Sequence, residues 1–189
     1  MSKSIRTFIA IEIPDDILSR FRELQDGIKV YDFNIRWVRS ENIHLTLKFL
    51  GDVEAVKIDE IAEIISKTVE GSTPISLKAK GIGVFPGMKR PRVLWVGLTG
   101  QLEFLVGLQK TLDENLKVLG FPGEKRPFKG HLTMGRIKDK IDVKKFGDAL
   151  MAFRNFESET FTAGQIVLYK SELKPSGAFY TKLASASLG

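Results

Sequence analysis

Glu41-Asn42-Ile43-His44-Leu45-Thr46-Leu47-Lys48-Phe49-Leu50 and Gly130-His131-Leu132-Thr133-Met134-Gly135-Arg136 decide how the rest of the chain is read. The chain holds two histidines, and each opens a His-Leu-Thr quartet completed by an apolar residue. Polar and apolar residues alternate through both quartets, which is the period of a strand with one buried face. His44 and Thr46 therefore point one way and Leu45 and Leu47 the other, and His131 and Thr133 oppose Leu132 and Met134 in the same manner. Each strand offers an imidazole and, two residues on, a hydroxyl.

Outward from the first quartet, Arg6 to Ile13 is a β-rich run closed by Pro14. Asp15 and Asp16 are placed to cap a helix carried by Ile17, Phe21, Leu24 and Ile28. After the quartet strand, Ile58, Ile61, Ile65 and Val69 mark a second helix that stops near Gly71, and Ile75 to Val84 reads as a strand leading into Phe85-Pro86-Gly87. The order then begins again. Val93 to Leu98 is strand-like, and Leu102, Leu105, Leu112, Leu116 and Leu119 mark a helix ended by Gly120. The second quartet follows, then a short helix capped by Asp142 with Val143, Phe146 and Leu150 on one face. Phe161 to Tyr169 and Ala178 to Ala184 close the chain as two strands joined by Lys174-Pro175-Ser176-Gly177.

His44 and His131 stand 87 positions apart, and the first strand and first helix of each half share about that offset. The expected fold is therefore α/β of the α+β kind, a bilobal pseudo-two-fold duplication. Two mainly antiparallel sheets flanked by helices would enclose a central cleft. Residues 1–189 would form a single domain of two lobes, with the repeat spanning approximately 5–85 and 92–184.

Composition narrows the function classes. There are no cysteines, which excludes disulfides, thiolate metal sites and a cysteine nucleophile. Two histidines alone fall short of the three protein ligands that a zinc site usually takes, so no metal and no cofactor are expected. A formal charge of +6 favours an anionic partner, nucleic acid first, against the alternative of a lysine-rich solubilising surface. Lys89-Arg90-Pro91-Arg92 and Lys125-Arg126-Pro127-Phe128-Lys129 read as basic loops, and the second runs straight into His131. No apolar run approaches the roughly 20 residues needed to cross a bilayer, and the first residues lead into a strand. The expectation is a cytoplasmic monomer with no membrane partner.

A lone histidine is usually structural, but two in equivalent quartets can divide acid–base labour across one substrate. An imidazole holds or releases a proton near neutrality, and each such role is worth about 10²–10⁴-fold in rate. Threonine favours strands for its own sake, yet Thr46 and Thr133 stand ready to donate hydrogen bonds to a phosphoryl oxygen. Plain counting from His131 puts Arg136 on the opposite face, and a bulge at Gly135 would bring it back beside Thr133. Phe8 and Trp95, also 87 positions apart, are either core residues or stacking surfaces for a base.

These residues resemble the 2H phosphoesterase superfamily and, within it, the RNA 2′,3′-cyclic phosphodiesterases, also called 2′-5′ RNA ligases. The resemblance runs through Arg6-Thr7-Phe8-Ile9-Ala10-Ile11, Trp37-Val38, both quartets, Gly83-Val84-Phe85-Pro86, Arg92-Val93-Leu94-Trp95 and Leu173-Lys174-Pro175-Ser176-Gly177-Ala178-Phe179-Tyr180. Gly130 stands where relatives commonly have proline. The resemblance implies metal-independent opening of an RNA-terminal 2′,3′-cyclic phosphate to a 2′-phosphomonoester, with tRNA fragments among the RNA ends. It implies His44 as proton donor, His131 as proton acceptor, Thr46 and Thr133 on the non-bridging oxygens, and Arg136 on the phosphate, while Phe8 as a strand aromatic and Lys129 from the basic loop are further candidates for binding substrate. By the same route a 5′-hydroxyl would join the cyclic phosphate in a 2′-5′ linkage. Two rivals stay open, an RNA-binding module without catalysis and a phosphodiesterase acting on small cyclic nucleotides.

Overall fold

Alternating burial along the strands sorts their residues onto two faces, and this determines where the core lies. The computed structural model describes residues 4–175 and 177–189. Ser176, in the turn expected at Lys174 to Gly177, lies outside the described residues, as do the first three. Strand β1 (Ser4–Glu12) sends Ile9 and Ile11 into the main core under the helices. Phe8 and Ala10 join a separate small cluster with Val167 and Tyr169 on the opposite face.

Helix α1 (Asp15–Lys29) buries Ile17, Phe21, Leu24 and Ile28 as their spacing predicts. Its first residues do not cap it as expected. Pro14, in extended conformation, occupies the capping position, and Asp15 and Asp16 lie inside the first turn, where they face the positive end of the helix dipole. Helix α2 (Ile58–Val69) packs against the last strand of the sheet and against helix α3 (Leu102–Leu116). A 3-10 turn continues α3 to Leu119, and Gly120 ends it at φ 85°. In helix α4 (Val143–Ala152) Asp142 does cap, accepting a hydrogen bond from the Lys145 amide at 3.0 Å.

The remaining strands are β2 (Ile35–Trp37), β3 (His44–Glu54), β4 (Ile75–Phe85), β5 (Val93–Gly100), β6 (Leu132–Ile137), β7 (Glu157–Ala163), β8 (Gln165–Lys174) and β9 (Gly177–Ser187). Among the described residues they follow the order β7-β4-β5-β6-β3-β1-β8-β9, with β2 alongside β6, and every pairing is antiparallel. Strands β3 and β6 meet at one residue pair, Leu45 with Leu132, so a half made of β7, β4, β5, β6 and β2 joins a half made of β3, β1, β8 and β9 edge to edge at the quartets.

Two features differ from the sequence expectation. The run from Phe161 to Tyr169 is two strands, since β7 ends at Ala163 and pairs with β4 while β8 begins at Gln165 and pairs with β1. A lone Gly164 within a continuous β-forming run carries too weak a signal to reveal that the chain changes partner there. In place of two sheets the strands form one continuous sheet, and its two sides do not follow the halves of the chain. β4 from the first half lies on β5, and β8 and β9 from the second half complete the side of β1.

Candidate active site

The Leu45–Leu132 bridge turns both leucines into the core, so the neighbouring residues of β3 and β6 face the opposite side together. The antiparallel sense places His44 beside Thr133 and Thr46 beside His131. The charge of one imidazole reaches the other, for His131 is among the groups that act on His44.

Each ring is oriented in the same way. The Nδ1–H of His44 donates to the Asn42 carbonyl at 2.7 Å, and that of His131 donates to the Lys129 carbonyl at 2.8 Å. A carbonyl only accepts, so in the neutral ring the proton sits on Nδ1 and the Nε2 lone pair is left for the cleft. In both cases the carbonyl belongs to the residue two places earlier in the chain.

The surroundings differ. His44 stacks on Phe8 at 4.7 Å and meets the edge of Tyr180 at 5.3 Å. Burial lowers its pKa to about 4, aided by His131 and opposed by the Asn42 carbonyl, so the ring is neutral at pH 7. His131 meets the edge of Phe85 at 5.0 Å. The Lys129 ammonium lies over both Phe85 and Trp95, at 5.4 and 5.3 Å, which keeps a cation close to His131. A pocket of about 260 Å³ opens beside His44 between Asn42, Tyr169, Tyr180 and Lys182. A larger one of about 510 Å³, near Pro14, Gly164 and Ser187, contains neither histidine.

Both quartet strands carry the same irregularity. In β6 the register jumps from Thr133 to Gly135 opposite consecutive residues of β5, and Met134 and Gly135 are both buried. This bulge returns Arg136 to the side of Thr133, where it is exposed. In β3 the register likewise skips Leu47, leaving Leu47 and Lys48 both buried and turning Phe49 outward. Phe49 is 63% exposed and 5.9 Å from Phe8, the ring on which His44 stacks, making it an open aromatic face that the sequence pattern did not single out. Phe8 itself is only 2% exposed, with His44 and Tyr169 stacked against it. The expectation that Phe8 could stack a base is thus corrected. Its ring backs His44, because neighbouring aromatics already occupy its faces.

The bulge also buries a charge. Lys48, 3% exposed, forms an ion pair with Asp113 of α3 and donates to the Pro122 carbonyl at 2.8 Å. Burial raises the Asp113 carboxyl, but the Lys48 ammonium and the Glu124 amide hold it below the usual carboxylate range. This pair ties β3 to the loop that leads through Lys129 to His131. Among the described residues no group of three or more His, Asp or Glu is gathered as metal ligands, and no helix is long and apolar enough to cross a membrane.

An antiparallel α+β sheet with imidazoles, hydroxyls and cations on one face has the groups that a phosphoryl substrate calls for. Comparison with known proteins narrows this further. The model of the LigT like phosphoesterase family matches residues 11–95 and 99–180, and the chain belongs to that family. It is 38% identical over 176 residues to the RNA 2′,3′-cyclic phosphodiesterase of Methanocaldococcus jannaschii, covering 93% of this chain and 96% of that one. The protein of the same name from Methanothermobacter thermautotrophicus is 32% identical over 95% of this chain and 96% of its own. A crystal structure from Thermus thermophilus superposes with a TM-score of 0.81 at 25% identity, over 97% of this chain and 98% of its own. The fold of Escherichia coli LigT in complex with 3′-AMP matches with a TM-score of 0.77 at 23% identity, over 98% and 99% of the two chains.

Proposed function

We propose that this protein hydrolyses the 2′,3′-cyclic phosphate at an RNA end to a 2′-phosphomonoester by metal-independent acid–base catalysis between His44 and His131. The observation that carries the reading is the matched orientation of the two rings. Each donates Nδ1–H to the carbonyl two residues back, which leaves Nε2 free for a substrate, and the two rings stand on strands that meet at a single bridge. The activity named for relatives at 32–38% identity over nearly the whole chain supports the substrate.

In the reaction, water attacks phosphorus and gives its proton to His131, while the bond from phosphorus to the ribose 3′-oxygen breaks and His44 protonates that oxygen. Thr46 and Thr133 donate to the non-bridging oxygens, and Arg136 and Lys129 offset the negative charge. A proton donor must carry a proton, and burial keeps His44 neutral at pH 7. A phosphate anion between the rings favours the imidazolium, so the proton is taken up with the substrate. Phe49 takes the stacking role first given to Phe8, on the strength of its open face. With a 5′-hydroxyl in place of water, the same proton transfers yield a 2′-5′ linkage. Fragments of tRNA are among the RNA ends with this chemistry.

The test is to incubate the protein with an oligoribonucleotide ending in a 2′,3′-cyclic phosphate, with and without EDTA, and identify the terminal group. A 2′-phosphate formed equally in both is expected. A 3′-phosphate, or activity lost to chelator and restored by metal, would refute the mechanism. The reading of 1–189 as one domain with a two-lobe repeat is part of the same proposal, supported by two matched stretches that each hold one quartet.

A further inference from the structure

Strand register sets Arg36 of β2 directly opposite Arg136 of β6. Like charges facing each other across a ladder repel, and an anion bound between them would relieve that repulsion. Two more guanidinium groups lie on this side of the cleft. Arg6 sits two residues before Phe8 on β1 and shares its face, with Asp52 of β3 opposite it in register but no ion pair formed, and Arg39 lies 4.5 Å over the Phe179 ring while donating to the Ala178 carbonyl at 2.7 Å. Tyr180 stands at the centre of the group. Burial pushes its phenol up against the opposing pull of Arg136, Arg6 and Arg39. The ion pairs among the described residues include neither Arg6, Arg36 nor Arg136, and Arg39 meets only Glu41, at 3.6 Å.

We infer that Arg6, Arg36 and Arg39, continuing from Arg136, form a track for the phosphodiester backbone of an RNA strand upstream of its cyclic end, so that the site selects oligonucleotides over mononucleotides. The inference rests on the proposed function of the His44–His131 site. The terminal nucleoside joins the rest of the strand through its 5′-oxygen, so the next phosphate lies one ribose away from the reacting phosphorus. The arginines flank the proposed reacting phosphate, with Arg36 beside Arg136 on β2 and with Arg39 and Arg6 beyond Tyr180, and so provide cations for that further phosphate. Guanidinium forks suit phosphate oxygens, and a row of them follows a backbone whatever the bases are.

The experiment compares kcat/KM for a nucleoside 2′,3′-cyclic monophosphate, a dinucleotide and a hexanucleotide with the same end, in wild type and in Arg6→Gln, Arg36→Gln and the double variant. Arg39 is left intact because it also holds the β8–β9 hairpin. Wild type is expected to favour the hexanucleotide at least about 10-fold at low salt. Each substitution should cut that preference about 3- to 10-fold and lower the salt slope for the hexanucleotide by about one, with Arg36→Lys retaining most of both. Equal kcat/KM for all three substrates in wild type would overturn the inference, as would equal losses on mononucleotide and hexanucleotide. If wild type cleaves no cyclic end, the proposed function fails, and the track is then judged by anisotropy with a hexanucleotide ending in a 3′-hydroxyl. At least about 5-fold weaker binding by the double variant would uphold it, and unchanged binding would overturn it.

Discussion

His44 lies between the face of Phe8 and the edge of Tyr180, whereas His131 lies beside the edge of Phe85 with the Lys129 ammonium spread over the neighbouring rings. The two half-sites share the quartet, the bulge after it and the carbonyl that holds Nδ1–H. The strand motif thus sets the tautomer and direction of each ring, while the packing around His44 lowers how readily that ring takes a proton. Where one bulge holds the buried Lys48, the other holds Gly135, against which the Ile35 side chain packs so closely that a Cβ would meet it at 2.5 Å. Where one bulge turns out Phe49, the other turns out Arg136. One half offers an aromatic face and the other a cation, as a nucleotide carrying a base and a phosphate requires.

The largest effects test whether both halves take part in chemistry. His44→Ala and His131→Ala should each lower turnover on a cyclic-phosphate oligonucleotide by about 10²–10⁴-fold with the circular dichroism spectrum unchanged. Near-normal turnover in either variant would remove that histidine from the mechanism and break the symmetry of the comparison. The buried pair is the next largest contrast. Lys48→Met leaves Asp113 buried without its partner and should cost about 3–5 kcal/mol in urea unfolding, while Lys48→Met combined with Asp113→Leu should regain most of it. A double variant no more stable than the single one would mean that the loop contact with Pro122, and not the charge, is what matters.

The two phenylalanines sharpen the difference between backing and contact. Phe8→Ala should lower stability by about 3–5 kcal/mol through the cavity it leaves. Phe49→Ala should leave the melting temperature almost unchanged and weaken binding of a cyclic-end oligonucleotide about 5- to 100-fold, as loss of one stacked base predicts. If Phe49→Ala left KM and affinity intact, the exposed ring would have no part in binding.

The smallest effect concerns pH. The folded-state pKa of His44, about 4, lies below the 6.5 of the unfolded chain. As pH falls below 6.5 the unfolded chain binds a proton that the folded one refuses, so stability declines through that window and is unaffected above it. Urea titrations from pH 7 to 5, before carboxylates take up protons, should show this decline in wild type and lose it in His44→Gln. A slope that survives the substitution would place the titrating group elsewhere.

Particular residues show how far the sequence could be read. The helices at Ile17 to Ile28, Ile58 to Val69 and Leu102 to Leu116 were legible because their apolar spacing is local, and so were the quartet strands and the cap at Asp142. The capping role expected of Asp15 and Asp16 failed by one residue, because proline's fixed φ serves the entry to the helix. Arg136 was legible only as an alternative, and Phe49 not at all, since both depend on a bulge that side-chain alternation does not announce. Strand β2, three residues long, left no period to read.

From the order of its residues alone the chain determined which stretches become strands and helices, which face of each quartet is polar, and which side chains can carry acid–base chemistry. Those properties follow from spacing within a few residues. Tertiary structure alone decided that β7 and β8 part company at Gly164, that β4 crosses to β5, and that the two quartets meet through Leu45 and Leu132. A strand's edge will hydrogen-bond to any partner of suitable register, so the choice is made only when the whole apolar surface is buried together.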